Sequence, residues 1–102
     1  MSYKNSEITK KANIYDGGRV TSRRVVTSDG DVVTLGIMQL GSYNFATEAA
    51  EVMELLQGAC RVKLAGSEAW VTYKAGQRFD VAANSSFDIE VTELLDYICH
   101  YV

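Results

Sequence analysis

Short β-favouring runs bounded by Gly, Asn, Asp and Ser recur roughly every ten residues along the chain, the spacing of a sandwich or barrel. Helical periodicity is hard to find outside Thr47 to Leu56. The pattern predicts an all-β domain. Cys60-Arg61-Val62-Lys63-Leu64 alternates strictly, which puts Cys60, Val62 and Leu64 on the inner face of a strand and Arg61 and Lys63 in water. Phe87-Asp88-Ile89-Glu90-Val91 repeats the alternation. Near the C-terminus Tyr97, Cys99 and Tyr101 share one face and Ile98, His100 and Val102 the other, so both faces are largely apolar or aromatic. Such a strand is central in its sheet or meets a second subunit.

The expected strands are Arg19 to Thr27, Asp31 to Leu40, Tyr43 to Ala46, Glu51 to Leu56, Cys60 to Leu64, Ala69 to Tyr73, Arg78 to Val81, Phe87 to Val91 and Asp96 to Val102. Ser28-Asp29-Gly30-Asp31, Gln57-Gly58-Ala59, Ala65-Gly66-Ser67-Glu68 and Ala75-Gly76-Gln77 carry turn chemistry in which glycine supplies positive φ, and each is expected to close a hairpin. Residues 1–16 form a weakly patterned arm, either an edge strand near Ala12 to Tyr15 or a mobile tail, and residues 17–102 form the domain proper.

A chain of 102 residues has room for one core. With 47% hydrophobic and 23% charged residues, its composition argues against disorder or a fibrous repeat. No run approaches the roughly 18 apolar residues of a membrane helix. The opening Met1-Ser2-Tyr3-Lys4-Asn5-Ser6-Glu7 lacks the apolar centre of a signal peptide, so a cytoplasmic protein without a membrane partner is expected. Cys60 and Cys99 lie inside apolar runs rather than in a metal-binding or redox motif, and read as small buried hydrophobes in a reducing compartment. Charge is uneven: Lys4, Lys10, Lys11, Arg19, Arg23 and Arg24 face only Glu7 and Asp16 in the first 24 residues, giving +4 there and −7 over the rest, for a net −3. These cations are scattered among strand formers without interleaved aromatics, the signature of a solvated edge rather than a nucleic-acid surface. A basic rim of this kind also suits a ligand that carries phosphate.

Gly41 to Gly58 resembles the first cupin motif, with Glu51 seven positions before the turn glycine Gly58. Ala75 to Phe87 resembles the second, with Gly76 retained, Ala82 where proline usually sits and Phe87 where histidine usually sits. Within the cupins, Thr34-Leu35-Gly36-Ile37-Met38, Gly41-Ser42-Tyr43-Asn44-Phe45, Glu51-Val52-Met53, Trp70, Tyr73-Lys74-Ala75-Gly76, Phe79-Asp80-Val81 and Tyr97-Ile98-Cys99-His100-Tyr101 are together similar to the small pyrimidine/purine nucleoside phosphorylases. The likeness covers about residues 17 to 102. It implies a single-domain cupin-like barrel (a double-stranded β-helix or jelly roll). The implied reaction is metal-independent phosphorolysis of purine and pyrimidine nucleosides to free base and pentose 1-phosphate, with phosphate as co-substrate and no other cofactor. Ala82-Ala83-Asn84 departs from the proline-glycine turn common in the family, and His100 from a frequent arginine.

The cupin frame retains its glutamate and loses its imidazoles, and one carboxylate cannot supply the three protein ligands a catalytic metal needs. The lone histidine, His100, lies outside both motif segments and reads as a packed or interface residue. A nucleophilic triad has no obvious members. Phosphorolysis asks for an acid near the sugar, a stacking surface for the base and donors for phosphate. By the resemblance, Glu51 is the acid aimed inward, with Glu54 its rival on the opposite face. Tyr43, Phe45, Phe87 and Tyr97 are candidates for the base, since every base offers a π-face to aromatic rings. Thr47, Ser86 and Arg78 are candidates for phosphate. Trp70 and Tyr73 read as hairpin or subunit packing. A non-catalytic, metal-free cupin that binds a sugar or nucleoside is the alternative reading, and an interaction module the third. A homodimer is the expected assembly.

Overall fold

Two long strands organise the molecule. In a computed structural model that describes Met1 to Val102, the elements are β1 (Glu7–Ile8), β2 (Asn13–Tyr15), a 3-10 turn at Asp16–Gly18, β3 (Val20–Val26), β4 (Val32–Met38), β5 (Gly41–Ala46), β6 (Glu51–Leu64), β7 (Val71–Lys74), β8 (Arg78–Val81) and β9 (Ser86–Tyr101). β6 and β9 pair antiparallel from Glu51↔Tyr101 to Leu64↔Phe87, with register shifts between Leu55 and Cys60. At that irregularity both strands pass from one sheet to the other. The first sheet runs β3, β4, the C-terminal half of β9, the N-terminal half of β6, then β8, with β1 and β2 on the free edge of β3. The second runs β5, the N-terminal half of β9, the C-terminal half of β6, then β7. The hydrogen-bonded path ends at β1 and β7, so the sheet stays open rather than closing into a continuous barrel.

This corrects two of the expected turns. Gln57-Gly58-Ala59 is a bulge inside β6 and not a hairpin, so Glu51 to Leu56 and Cys60 to Leu64 are one strand, as are Phe87 to Val91 and Asp96 to Val102 up to Tyr101. Gly58 has φ 92°, and a Cβ there would lie 2.1 Å from the Leu94 carbonyl oxygen, so crossing backbone occupies the side-chain position. Ala75-Gly76-Gln77 likewise joins two strands that both pair with β6 and not with each other; Gly76 N–H donates to the Leu55 carbonyl at 2.8 Å and Leu55 N–H to that of Gln77 at 3.0 Å. Ser28 to Asp31 and Ala65 to Glu68 do close hairpins, β3 with β4 and β6 with β7. Asn13–Tyr15 pairs with β3 as an edge strand.

Alternation places the core between the sheets. Met53, Leu55, Leu95, Tyr97 and Cys99 from the first sheet meet Tyr43, Cys60, Val62, Phe87, Ile89 and Val91 from the second, all in one buried cluster. Leu64, expected inward, is 39% exposed because it ends its strand. The C-terminal strand is central, flanked by β4 and β6, which accounts for its apolar outer side: Ile98 is buried there with Val25 and Val33.

Candidate functional site

Between the sheets lies a cavity of about 180 Å³ whose wall includes Tyr15, Phe45, Glu51, Phe87, Tyr97, Cys99 and Tyr101. Glu51 opens β6 directly across from Tyr101, and Cys99, two positions back on β9, is its diagonal neighbour on the same face. Glu51 belongs to none of the three ion pairs of the molecule. Burial pushes its carboxyl above the usual carboxylate range, opposed by the neighbouring Cys99 thiol. Burial, then the Glu51 charge, pushes the Cys99 thiol up to about 12, and burial first also pushes the Tyr101 phenol up to about 12. Both therefore stay protonated at neutral pH and can donate. Cys99 was expected as an inert hydrophobe; it is buried and unpaired, yet it forms part of the cavity wall beside the acid.

Tyr97 reaches across β4, and glycine makes this possible. A Cβ at Gly36 would lie 2.5 Å from the Tyr97 hydroxyl and 2.5 Å from the Thr21 carbonyl oxygen, so only glycine lets the ring lie flat over β4 with its phenol toward Ser22. Aromatic rings line the other side. Phe45 and Phe87 have centroids 5.7 Å apart, and Tyr15, from the edge strand, meets Phe45 edge-on at 6.3 Å.

Of the residues singled out from sequence, Glu51, Phe45, Phe87 and Tyr97 converge on this cavity. Tyr43 lies behind it, stacked on Phe45 at 6.1 Å with its hydroxyl donating to the Gln39 carbonyl at 2.7 Å. Thr47 is buried and engaged on both sides: its Oγ1 donates to the Ala82 carbonyl at 2.7 Å and accepts from Ser85 N–H at 3.0 Å, closing the turn where Asn84 takes φ 52° in place of a proline-glycine pair. Ser86 borders a different hollow, near Lys63 and Asp88. Arg78 is on the outer face, where Glu54 Oε1 accepts from it at 3.1 Å and lies 2.8 Å from His100 Nε2. Parity thus separates the two glutamates, Glu51 inward and Glu54 outward. Tyr15, Ser22, Thr34, Met53, Cys99 and Tyr101 also line the wall and were not singled out; the shared face of Tyr97, Cys99 and Tyr101 was the one signal that pointed to any of them.

This arrangement sets one unpaired carboxylate among neutral donors and aromatic faces. It can accept hydrogen bonds from hydroxyls, stabilise positive charge nearby and stack a flat ring. No three His, Cys, Asp or Glu side chains converge in the geometry of a metal site.

The sequence pattern of the family described as pyrimidine/purine nucleoside phosphorylase matches residues 10–101. A relative of that name from Cupriavidus pinatubonensis is 54% identical over 99 residues, covering 97% of this chain and 94% of its own. Another, from Herminiimonas arsenicoxydans, is 49% identical over 100 residues, covering 98% and 96%. Among solved structures, a protein of unknown function from Acinetobacter superposes with a TM-score of 0.95 at 40% identity, covering 99% of this chain and 98% of its own. An RmlC-like cupin from Shewanella frigidimarina superposes with a TM-score of 0.70 at 16% identity, covering 98% and 86%, which supports the cupin fold alone.

Proposed function

The chain belongs to the pyrimidine/purine nucleoside phosphorylase family, and from that premise we propose that it cleaves purine and pyrimidine nucleosides with inorganic phosphate, without a metal. In the step proposed, a phosphate oxygen bonds to C1 of the pentose as the bond from C1 to the base nitrogen breaks. The bonding pair leaves with the base, and the proton of the hydrogen phosphate ends on that nitrogen. Positive charge builds on the sugar ring as the bond opens.

The observation that carries the reading is Glu51, an unpaired carboxylate in the cavity wall. It would accept the pentose hydroxyls and stabilise the developing charge, in an apolar setting that strengthens its field. Phe45 and Phe87, with Tyr15 beside them, offer the base a stacking surface without base-specific contacts, which suits a broad substrate range. Tyr97 adds a protonated phenol on the sugar side. What supports the metal-free part is the donor set: the cavity wall carries one carboxylate and one thiol and no imidazole. We place the enzyme in the cytoplasm, where two unpaired thiols stay reduced, and read it as a homodimer that covers the outer-face Leu35 and Ile37 left exposed on β4.

The test is incubation of purified protein with inosine or uridine, with and without inorganic phosphate, in the presence of a chelator. Phosphate-dependent appearance of free base and pentose 1-phosphate is the expected result. Base release that ignores phosphate would make the protein a hydrolase, and loss of activity to the chelator would remove the metal-free part.

A further inference from the structure

A phosphate ion attacking C1 needs cations close by, and the cavity beside Glu51 has none in its wall. Most of the arginines are already engaged. Arg19 donates to the Leu40 carbonyl at 2.7 Å, Arg23 to that of Lys10 at 3.4 Å, Arg61 to Glu90 at 2.8 Å and Arg78 to Glu54 at 3.1 Å. Arg24 has no such partner among the side-chain hydrogen bonds or ion pairs. It shares the inward parity of Val20 and Ser22 on β3, lies directly across from Thr34 on β4, and Thr34 in turn lies across from Cys99 on β9. Arg24, Lys11, Asn13 and Thr34 border a hollow of about 340 Å³ that adjoins the cavity, because Thr34 and Tyr101 border both. Asn13 ties the two together, donating from Nδ2 to Ser22 Oγ at 3.2 Å.

We infer that this hollow is the phosphate subsite, with Arg24 as the principal ligand and Lys11 the second cation. The inference rests on the phosphorolysis reading above and adds the side from which phosphate arrives. Three strand spacings separate β3 from β6, roughly 14 Å of backbone at about 4.8 Å each. Both side chains, Arg24 and Glu51, rise from the inner face of the same sheet, so a pentose and a phosphate would sit between them. Phosphate is then held on one side of the sugar while Glu51 stabilises the charge from another, and the two anionic groups stay apart. A cavity of about 180 Å³ is also below the roughly 300 Å³ at which small-molecule pockets begin, so the adjoining space is needed for the full set of reactants. The basic excess of the N-terminal segment acquires a role: the edge strand and its approach bring Lys11 and Asn13 to the mouth.

The test is the phosphate dependence of steady-state rates at saturating nucleoside for the full-length enzyme. Arg24→Ala is expected to raise the phosphate KM at least about tenfold and to leave the nucleoside KM within about twofold. Lys11→Ala should give a smaller rise, Arg24→Lys should recover most of the loss, and Lys74→Ala, an exposed cation on β7, should change neither constant. Inorganic phosphate should raise the melting temperature of wild type and not of Arg24→Ala; this readout needs no turnover, and the melting temperature without phosphate reports whether the variant is folded. A phosphate-dependent wild type with an unchanged phosphate KM in Arg24→Ala overturns the subsite and leaves phosphorolysis standing. A wild type indifferent to phosphate overturns both.

Discussion

Glu51 is the residue on which the proposed chemistry turns, and its environment sets that role against stability. Burial holds its carboxyl above the ordinary value of 4.5, so in the native state it gives up its proton later than in the unfolded chain. Native stability is therefore reduced as pH rises from the unfolded value through the folded one, and the penalty is complete above it. Glu51→Gln removes that penalty and the charge together. The variant should lose about 2–4 kcal/mol of transition-state stabilisation, a fall in kcat of roughly 30- to 1000-fold. It should also melt above wild type near pH 7, with the difference shrinking as pH falls and the two converging well below pH 4.5, where the carboxyl is protonated in both states. Wild-type turnover would take Glu51 out of the mechanism, and a lower melting temperature at neutral pH would contradict its burial cost. Glu51 was legible in sequence because the cupin-like spacing to Gly58 marks it. Cys99 and Tyr15 were not, since an apolar run and a weakly patterned arm say nothing of what lies across the fold. Thr47 could not be placed either, because its partners Ala82 and Ser85 are set by pairings between distant segments.

At the scale of elements, turn chemistry was readable and its outcome was not. Gly30 and Gly58 have nearly the same φ, 88° and 92°, yet one closes a hairpin and the other bends a continuous strand. Positive φ serves either purpose, and the choice depends on which strand lies across from it. The two sites respond differently to a methyl group. At Gly30 nothing lies within 4 Å of a Cβ, so Gly30→Ala should cost only the backbone strain, about 1–2 kcal/mol. At Gly58 a Cβ would be 2.1 Å from the Leu94 carbonyl oxygen, and that backbone cannot swing away as a side chain would. Gly58→Ala should therefore cost clearly more, about 3–5 kcal/mol, as strain and overpacking add. Urea denaturation of the two variants measures the difference; equal losses would show that the bulge tolerates a side chain and that crowding is not what fixes it.

The whole molecule presents two faces with different duties. Inner-face parity on β3, β4, β6 and β9 builds the cavity, and the all-β class and both-sided C-terminal strand that make this possible were plain in the alternation. What alternation cannot give is how the outer face is covered. Val25, Val33 and Ile98 are buried there, but Leu35 and Ile37, which share their parity on β4, are each left 38% exposed. Apolar residues left open beside a buried cluster in the middle of a sheet are what a twofold contact would cover, since the same patch then meets itself. Ile37→Glu would put two carboxylates into that contact, across from each other or nearly so. The wild-type protein should sediment at twice the chain mass, and Ile37→Glu at the chain mass with an unchanged far-ultraviolet spectrum. A wild type that sediments as a single chain would leave the outer face without a partner, and a dimeric Ile37→Glu would place the contact elsewhere. The cavity opens on the inner side, opposite the face that carries Ile37, so the monomeric variant should still bind nucleoside, which separates assembly from chemistry in the same experiment.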